Sequence, residues 1–157
     1  MRTTRVLTIV AAMIVSSFAV GAASGVEIGV GTDPSVSFTA TWDVSPSFTL
    51  ALSLGAVFAQ GTQTGSFTVQ SASYTIGVEA RYMIELATPL VRPYLGFGAY
   101  LELTDGDTSM LMSSSVGVQV RMLPGIYLFS EGTAVVTILD PTEWFVRLKL
   151  GVGFRLS

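Results

Sequence analysis

The 157 residues leave room for one domain. Only 12% of them are charged while 50% are apolar, against roughly 25% charged in ordinary soluble domains. Such a composition usually signals membrane helices, but these need about 20 consecutive apolar residues, and only the N-terminus comes near that length. With neither His nor Cys, the chain lacks disulfides, an acylated-cysteine anchor, the ordinary ligands of zinc and soft metals, and the usual base near neutral pH.

At the N-terminus, Arg2 and Arg5 precede an apolar core from Val6 to Val15, followed by Ser16, Ser17 and the small residues Gly21-Ala22-Ala23-Ser24. This layout predicts a cleavable secretory signal peptide over residues 1–23, cut after Ala22 or Ala23. The alternative, a short uncleaved anchor helix, is poorly served by so brief an apolar core. Without Arg2 and Arg5, six basic residues face eleven acidic ones, a net charge of −5. Nucleic acid is therefore not an expected partner.

Residues 24–157 divide into eight strand candidates, each bounded by turn chemistry. The first sets Val26, Ile28 and Val30 against Glu27, Gly29 and Gly31, and ends at Thr32-Asp33-Pro34. The second alternates Val36, Phe38, Ala40, Trp42 and Val44 with Ser37, Thr39, Thr41 and Asp43. After Ser45-Pro46-Ser47, the third sets Phe48, Leu50, Leu52, Leu54, Ala56 and Phe58 against Thr49, Ala51, Ser53, Gly55 and Val57. A polar loop is expected from Gln60 to about Ser71.

In the fourth candidate, Tyr74, Ile76, Val78, Ala80, Tyr82 and Ile84 oppose Gly77, Glu79, Arg81 and Met83. The fifth opposes Pro93, Leu95, Phe97, Ala99, Leu101 and Leu103 to Arg92, Tyr94, Gly96, Gly98, Tyr100 and Glu102. The Asp105-Gly106-Asp107 loop precedes a sixth, read around Val116, Val118, Val120 and Met122 against Gly117, Gln119 and Arg121. Pro124-Gly125 makes a tight turn. The seventh is the weakest alternation, with Leu128, Ser130, Gly132, Ala134 and Val136 against Phe129, Glu131 and Thr133. After Asp140-Pro141, the eighth is the clearest: Trp144, Val146, Leu148, Leu150, Val152, Phe154 and Leu156 against Arg147, Lys149, Gly151, Gly153 and Arg155. A period of two places such sets on opposite sides of a sheet.

Alternation alone leaves open which face points inward. In a soluble barrel the apolar face is the core; in an outer-membrane barrel it meets lipid. Three features favour the second. The polar face is rich in Gly, which makes room inside a narrow eight-stranded barrel. Arg outnumbers Lys on that face and is accompanied by Glu27, Glu79, Glu102 and Glu131, as suits buried ion pairs. The aromatics sit near the ends of the apolar face. With the N-terminus placed inside, Phe38, Phe58, Tyr74 and Trp144 form an outer ring, and Trp42, Phe48, Tyr82 and Phe154 a periplasmic one. Phe48 to Phe58 covers roughly 25 Å at ~3.3 Å per residue and ~40° tilt, the height of an apolar band.

The run Val91-Arg92-Pro93-Tyr94-Leu95-Gly96-Phe97-Gly98-Ala99-Tyr100 resembles the Pro-Tyr-apolar-Gly-x-Gly strand of small eight-stranded outer-membrane barrels, the relatives of outer membrane protein A's transmembrane domain. The resemblance covers Gly25 to Leu156. It implies an outer-membrane location, contact with lipid and a lipopolysaccharide-type leaflet, and assembly by the barrel-insertion machinery. Members usually end on an aromatic residue; this chain ends Phe154-Arg155-Leu156-Ser157. The loops expected on the outer side are also short beside those of adhesive members.

The chemistry-bearing candidates are few. Asp105-Gly106-Asp107-Thr108-Ser109 offers oxygens for a hard cation but lacks calcium-loop spacing, and reads as a polar hairpin turn. Gly29-x-Gly31, Gly96-x-Gly98 and Gly151-x-Gly153 lack the third Gly and the helix of a dinucleotide site. Tyr94 and Tyr100 read as lumen fillers. Enzymes among the outer-membrane barrels, the lipid A deacylases and palmitoyl transferases, depend on His.

The sequence thus predicts an all-β chain, an eight-stranded antiparallel up-and-down transmembrane barrel, monomeric and non-enzymatic, with no cofactor and no metal. Its lumen is expected to be plugged by ion pairs drawn from Glu27, Glu79, Arg81, Arg92, Glu102, Arg121, Glu131, Arg147, Lys149 and Arg155. Two alternatives remain: a narrow pore for ions or small solutes, and a soluble periplasmic lipocalin-like binder of a small hydrophobic ligand.

Overall fold

The computed structural model describes residues 23–156 apart from 34, 64–65, 105–106 and 139–142, and only the backbone of 59–63 and 66–72. The expected signal peptide up to Ala22, and Pro34, Asp105, Gly106, Asp140 and Pro141 of the expected turns, lie outside the described residues.

Eight strands close into one antiparallel barrel in chain order: β1 (Gly25–Gly31), β2 (Ser35–Ser45), β3 (Phe48–Gln63), β4 (Ser66–Met83), β5 (Val91–Leu103), β6 (Thr108–Leu123), β7 (Ile126–Thr137) and β8 (Trp144–Arg155). Each strand pairs with its sequence neighbours, and β8 returns to β1. Closure removes the unpaired edges that an open sheet would present. Directly opposite residues share a face, so register carries the apolar pattern around the wall. Ile28, for example, lies between Phe38 on β2 and Val152 on β8.

The apolar face is outside. Val116, Val146 and Leu150 are each about 60% exposed, whereas Glu27, Thr39, Glu79, Arg81 and Tyr94 are almost completely enclosed. A soluble binding barrel needs the reverse arrangement, with its apolar set as the core. The expected interface aromatics all lie on this outer wall. Tyr74 and Trp144 stand near the end of the barrel from which β3 and β4 run on past their neighbours, here the loop end; Phe58 lies on the same side. Phe48, Tyr82 and Phe154 stand at the opposite end, which carries both termini of the barrel and is called the terminal end. Phe38 and Trp42 each sit three residues inside the ends of β2.

Two boundaries differ from the sequence expectation. The segment expected as a polar loop from Gln60 to Ser71 is mostly strand: residues 58–63 of β3 and 66–73 of β4 continue as a two-stranded ribbon beyond the last pairings with β2 and β5, with a bulge at Ala59/Gln60. The surface features are therefore not all short. Thr, Val and Phe along this stretch favour extended backbone, and a ladder needs no apolar stripe where no wall lies behind it. Likewise β6 begins at Thr108, so Thr108 and Ser109 belong to the strand and not to the expected hairpin turn. Met110, Met112 and Ser114 face out there, and Leu111, Ser113 and Ser115 face in. The run Met-Leu-Met-Ser-Ser-Ser has no apolar–polar contrast and hides its own alternation.

Inside, the barrel is filled by aromatic rings laid on glycines. Tyr94 lies opposite Gly117, Tyr100 opposite Gly77, Tyr127 opposite Gly153 and Phe129 opposite Gly151. In each pair a Cβ on the glycine would collide with the ring. Glycine there is a matter of space. Gly125, at φ +80°, is a matter of conformation: it completes the Pro124-Gly125 turn between β6 and β7 in a region that side chains with a Cβ disfavour.

Candidate functional site

The centre of the lumen is Arg81, on β4, with no exposed surface. Its Nη1 donates to Glu27 Oε2 on β1 at 2.7 Å, its Nε to Glu79 Oε1 on β4 at 3.3 Å, and its Nη2 to Glu131 Oε2 on β7 at 3.3 Å. The guanidinium also stacks over the Tyr94 ring, 4.9 Å from its centroid. Arginine suits the position because its planar fork offers five donors in fixed directions.

Three carboxylates around one cation leave excess negative charge, which neutral donors and one lysine share. Glu27 Oε1 accepts from Tyr127 Oη at 2.9 Å and Gln119 Nε2 at 3.2 Å. Glu79 accepts from Ser115 Oγ at 2.7 Å and Tyr100 Oη at 3.0 Å. Glu131 accepts from Tyr94 Oη at 2.6 Å and Thr133 Oγ1 at 3.1 Å, and Lys149 Nζ lies 3.1 Å from its Oε1. All carboxylate oxygens of the cluster thus have partners, as buried charge requires. Six strands contribute to it: β1, β4, β5, β6, β7 and β8.

The structure brings together Glu27, Glu79, Arg81, Glu131 and Lys149 of the expected ion-pair set. The others lie apart. Glu102 accepts from Ser73 Oγ at 2.6 Å near the loop end, not from a cation. Arg147 Nε lies 2.7 Å from Asp33 Oδ2, also near the loop end, without its N–H aimed at the oxygen. Arg92 donates to the Pro46 carbonyl at 2.9 Å. Among the described residues, Arg92, Arg121 and Arg155 have no carboxylate within 4 Å; they line the mouth at the terminal end, where it is Gln119 and Tyr127, directly opposite Arg92 and Arg121, that reach the cluster. Asp33, Gln119, Tyr127, Ser115 and Thr133 are partners that the sequence does not single out. The inward parity of Gln119, Tyr127 and Thr133 is legible but their height in the barrel is not; Asp33 sits in a turn and Ser115 in a run without contrast.

Cavities flank the cluster. At the terminal end a mouth of about 640 Å³ is lined by Arg92, Gln119, Arg121, Tyr127 and Arg155, among others. Toward the loop end a pocket of about 90 Å³ is lined by Ser53, Thr75, Tyr100, Glu131 and Lys149, among others. The two share no lining residue, and Arg81 lines neither.

A closed eight-stranded antiparallel wall, apolar outside and charged within, has the fold of the small outer-membrane barrels. No protein-family model and no curated protein matches the chain. Among solved structures, it is similar to the N-terminal β-barrel domain of Pseudomonas aeruginosa OprF, with a TM-score of 0.65, 16% identity, and coverage of 85% of this chain and 98% of that one. It is also similar to Neisserial surface protein A (TM-score 0.61, 16% identity, 84% and 94% covered). A third is the Yersinia pestis outer membrane protein Ail (TM-score 0.58, 12% identity, 86% and 99% covered). At these identities the likeness is one of fold.

Proposed function

We propose that the chain is exported by a leader over residues 1–23 and resides in the outer membrane as a monomeric, non-enzymatic barrel whose lumen is closed by the Arg81 cluster. Its role is structural and at the surface: the wall contacts lipid and a lipopolysaccharide-type leaflet, and the loop end is displayed outside. The barrel-insertion machinery would assemble it. The observation that carries this reading is the complete enclosure of Arg81 between two cavities with no lining residue in common. An eight-stranded interior is just wide enough for side chains to fill, and here buried Arg81, Glu27, Glu79 and Glu131 share it with the rings of Tyr94, Tyr127 and Phe129.

The test is planar-bilayer conductance of the refolded protein and of Glu79→Ala. A plug predicts an electrically silent wild type and a variant that conducts, because removing Glu79 frees space beside Arg81 and releases Ser115 and Tyr100. A conducting wild type that Glu79→Ala silences would favour the narrow pore instead.

A further inference from the structure

The terminal mouth is built unlike the plug. Arg92, Arg121 and Arg155 come from β5, β6 and β8 and line one cavity of about 640 Å³. Two carboxylates share that cavity, Asp43 and Glu85. Each is engaged by a hydroxyl: Thr49 Oγ1 donates to Asp43 at 2.8 Å, and Ser47 Oγ to Glu85 at 3.2 Å. Among the described residues no carboxylate lies within 4 Å of any of the three guanidiniums. All three remaining cations beyond residue 25, Arg81, Arg147 and Lys149, do have one. The cationic groups with no carboxylate within 4 Å are therefore, among the described residues, concentrated in one concave site.

We infer that this mouth binds a carboxylate-bearing peptide segment from the compartment it faces. Guanidiniums match carboxylates in a two-pronged geometry, and convergent cations in a cavity attract an anion more strongly than the same charges on a flat surface. The volume lies within the range of small-ligand pockets. The lining also includes apolar Leu90 and Ile126, which suit an acidic chain with side chains better than a bare inorganic anion. A lipid phosphate is the less suitable occupant, because these arginines line the cavity and lie off the outer wall, where headgroups would sit. The site is independent of whether the lumen conducts.

The experiment uses the full barrel in detergent micelles and fluorescein-labelled tetraglutamate, read by fluorescence anisotropy at low and high salt. Wild type is expected to bind tetraglutamate in a salt-sensitive way and not to bind labelled tetralysine. Arg121→Gln should weaken binding about tenfold, the loss of one charge-assisted contact, and Arg92→Gln/Arg121→Gln/Arg155→Gln should abolish it. A boiled-against-unboiled gel establishes that each variant is folded; if the triple variant fails there, Arg121→Gln decides alone, since Arg121 is exposed and has none of the cluster's carboxylates within 4 Å. Absence of tetraglutamate binding, or binding unchanged in Arg121→Gln, overturns the inference. So does arginine-dependent binding of phosphatidylglycerol nanodiscs in place of the peptide, which would assign the site to a headgroup phosphate.

Discussion

Around Arg81, one guanidinium is shared by three carboxylates; at the terminal mouth, three guanidiniums share a cavity with two carboxylates held by hydroxyls. Both regions are built on the inward side of the one barrel, the first from β1, β4 and β7 and the second from β2, β5, β6, β8 and the connection after β4. What separates them is height along the barrel axis, and with it access to water. In the middle an ion must be paired and fully hydrogen-bonded to be tolerated at all. At the mouth an arginine is solvated whether or not an acid is near, so its charge is free for an outside anion.

Substitutions can break or sharpen this contrast. The largest effect is expected for Arg81→Ala, which strands three buried carboxylates; breaking a buried pair by removing one partner costs about 3–5 kcal/mol. Urea unfolding from lipid vesicles would measure it, and a loss below about 1 kcal/mol would show that the cluster is not tightly coupled. Next comes Gly117→Val, which pushes the Tyr94 ring off its seat and disturbs the Tyr94–Glu131 hydrogen bond. Overpacking of this kind costs about 1–3 kcal/mol, and the same unfolding curves would register it.

Smaller still is Asp33→Asn. The Asp33–Arg147 pair is about a quarter exposed on each side, so its contribution, discounted for solvent screening, is under about 1 kcal/mol. The loss should shrink as salt is raised toward ~1 M, where the Debye length falls to about 3 Å. Smallest is Arg121→Gln at the mouth, which should leave stability within about 0.5 kcal/mol of wild type. An Arg121 effect as large as that of Arg81 would erase the distinction between the two regions.

Much of the wall was legible in the chain. The alternation of β8 from Trp144 to Phe154 and of β2 from Val36 to Val44 reports a two-faced strand directly, since side-chain parity is a local property. Parity failed where chemistry offered no contrast, as in Met110-Leu111-Met112-Ser113-Ser114-Ser115. It also failed where a ladder stands clear of the barrel, as in the β3–β4 ribbon. The candidate site was legible only as a set of inward charges. Which arginine occupies the centre depends on register and stagger between strands far apart in sequence: Tyr127 reaches Glu27 across 100 residues, and Arg81 reaches Glu131 across 50. Alternation within one strand carries no information about such heights. The glycine–aromatic seats show the same limit, because each glycine is visible alone while its ring lies on the next strand.

The apolar face of the barrel is its outer wall, and the function proposed for it places that wall in the outer membrane. Membrane fractionation followed by a gel of boiled and unboiled samples in detergent tests it most directly. Sedimentation with the outer membrane and a mobility shift on boiling are expected, since a closed barrel keeps its shape in detergent until heated. A protein recovered in the soluble periplasmic fraction without detergent, with no shift on boiling, would contradict that placement.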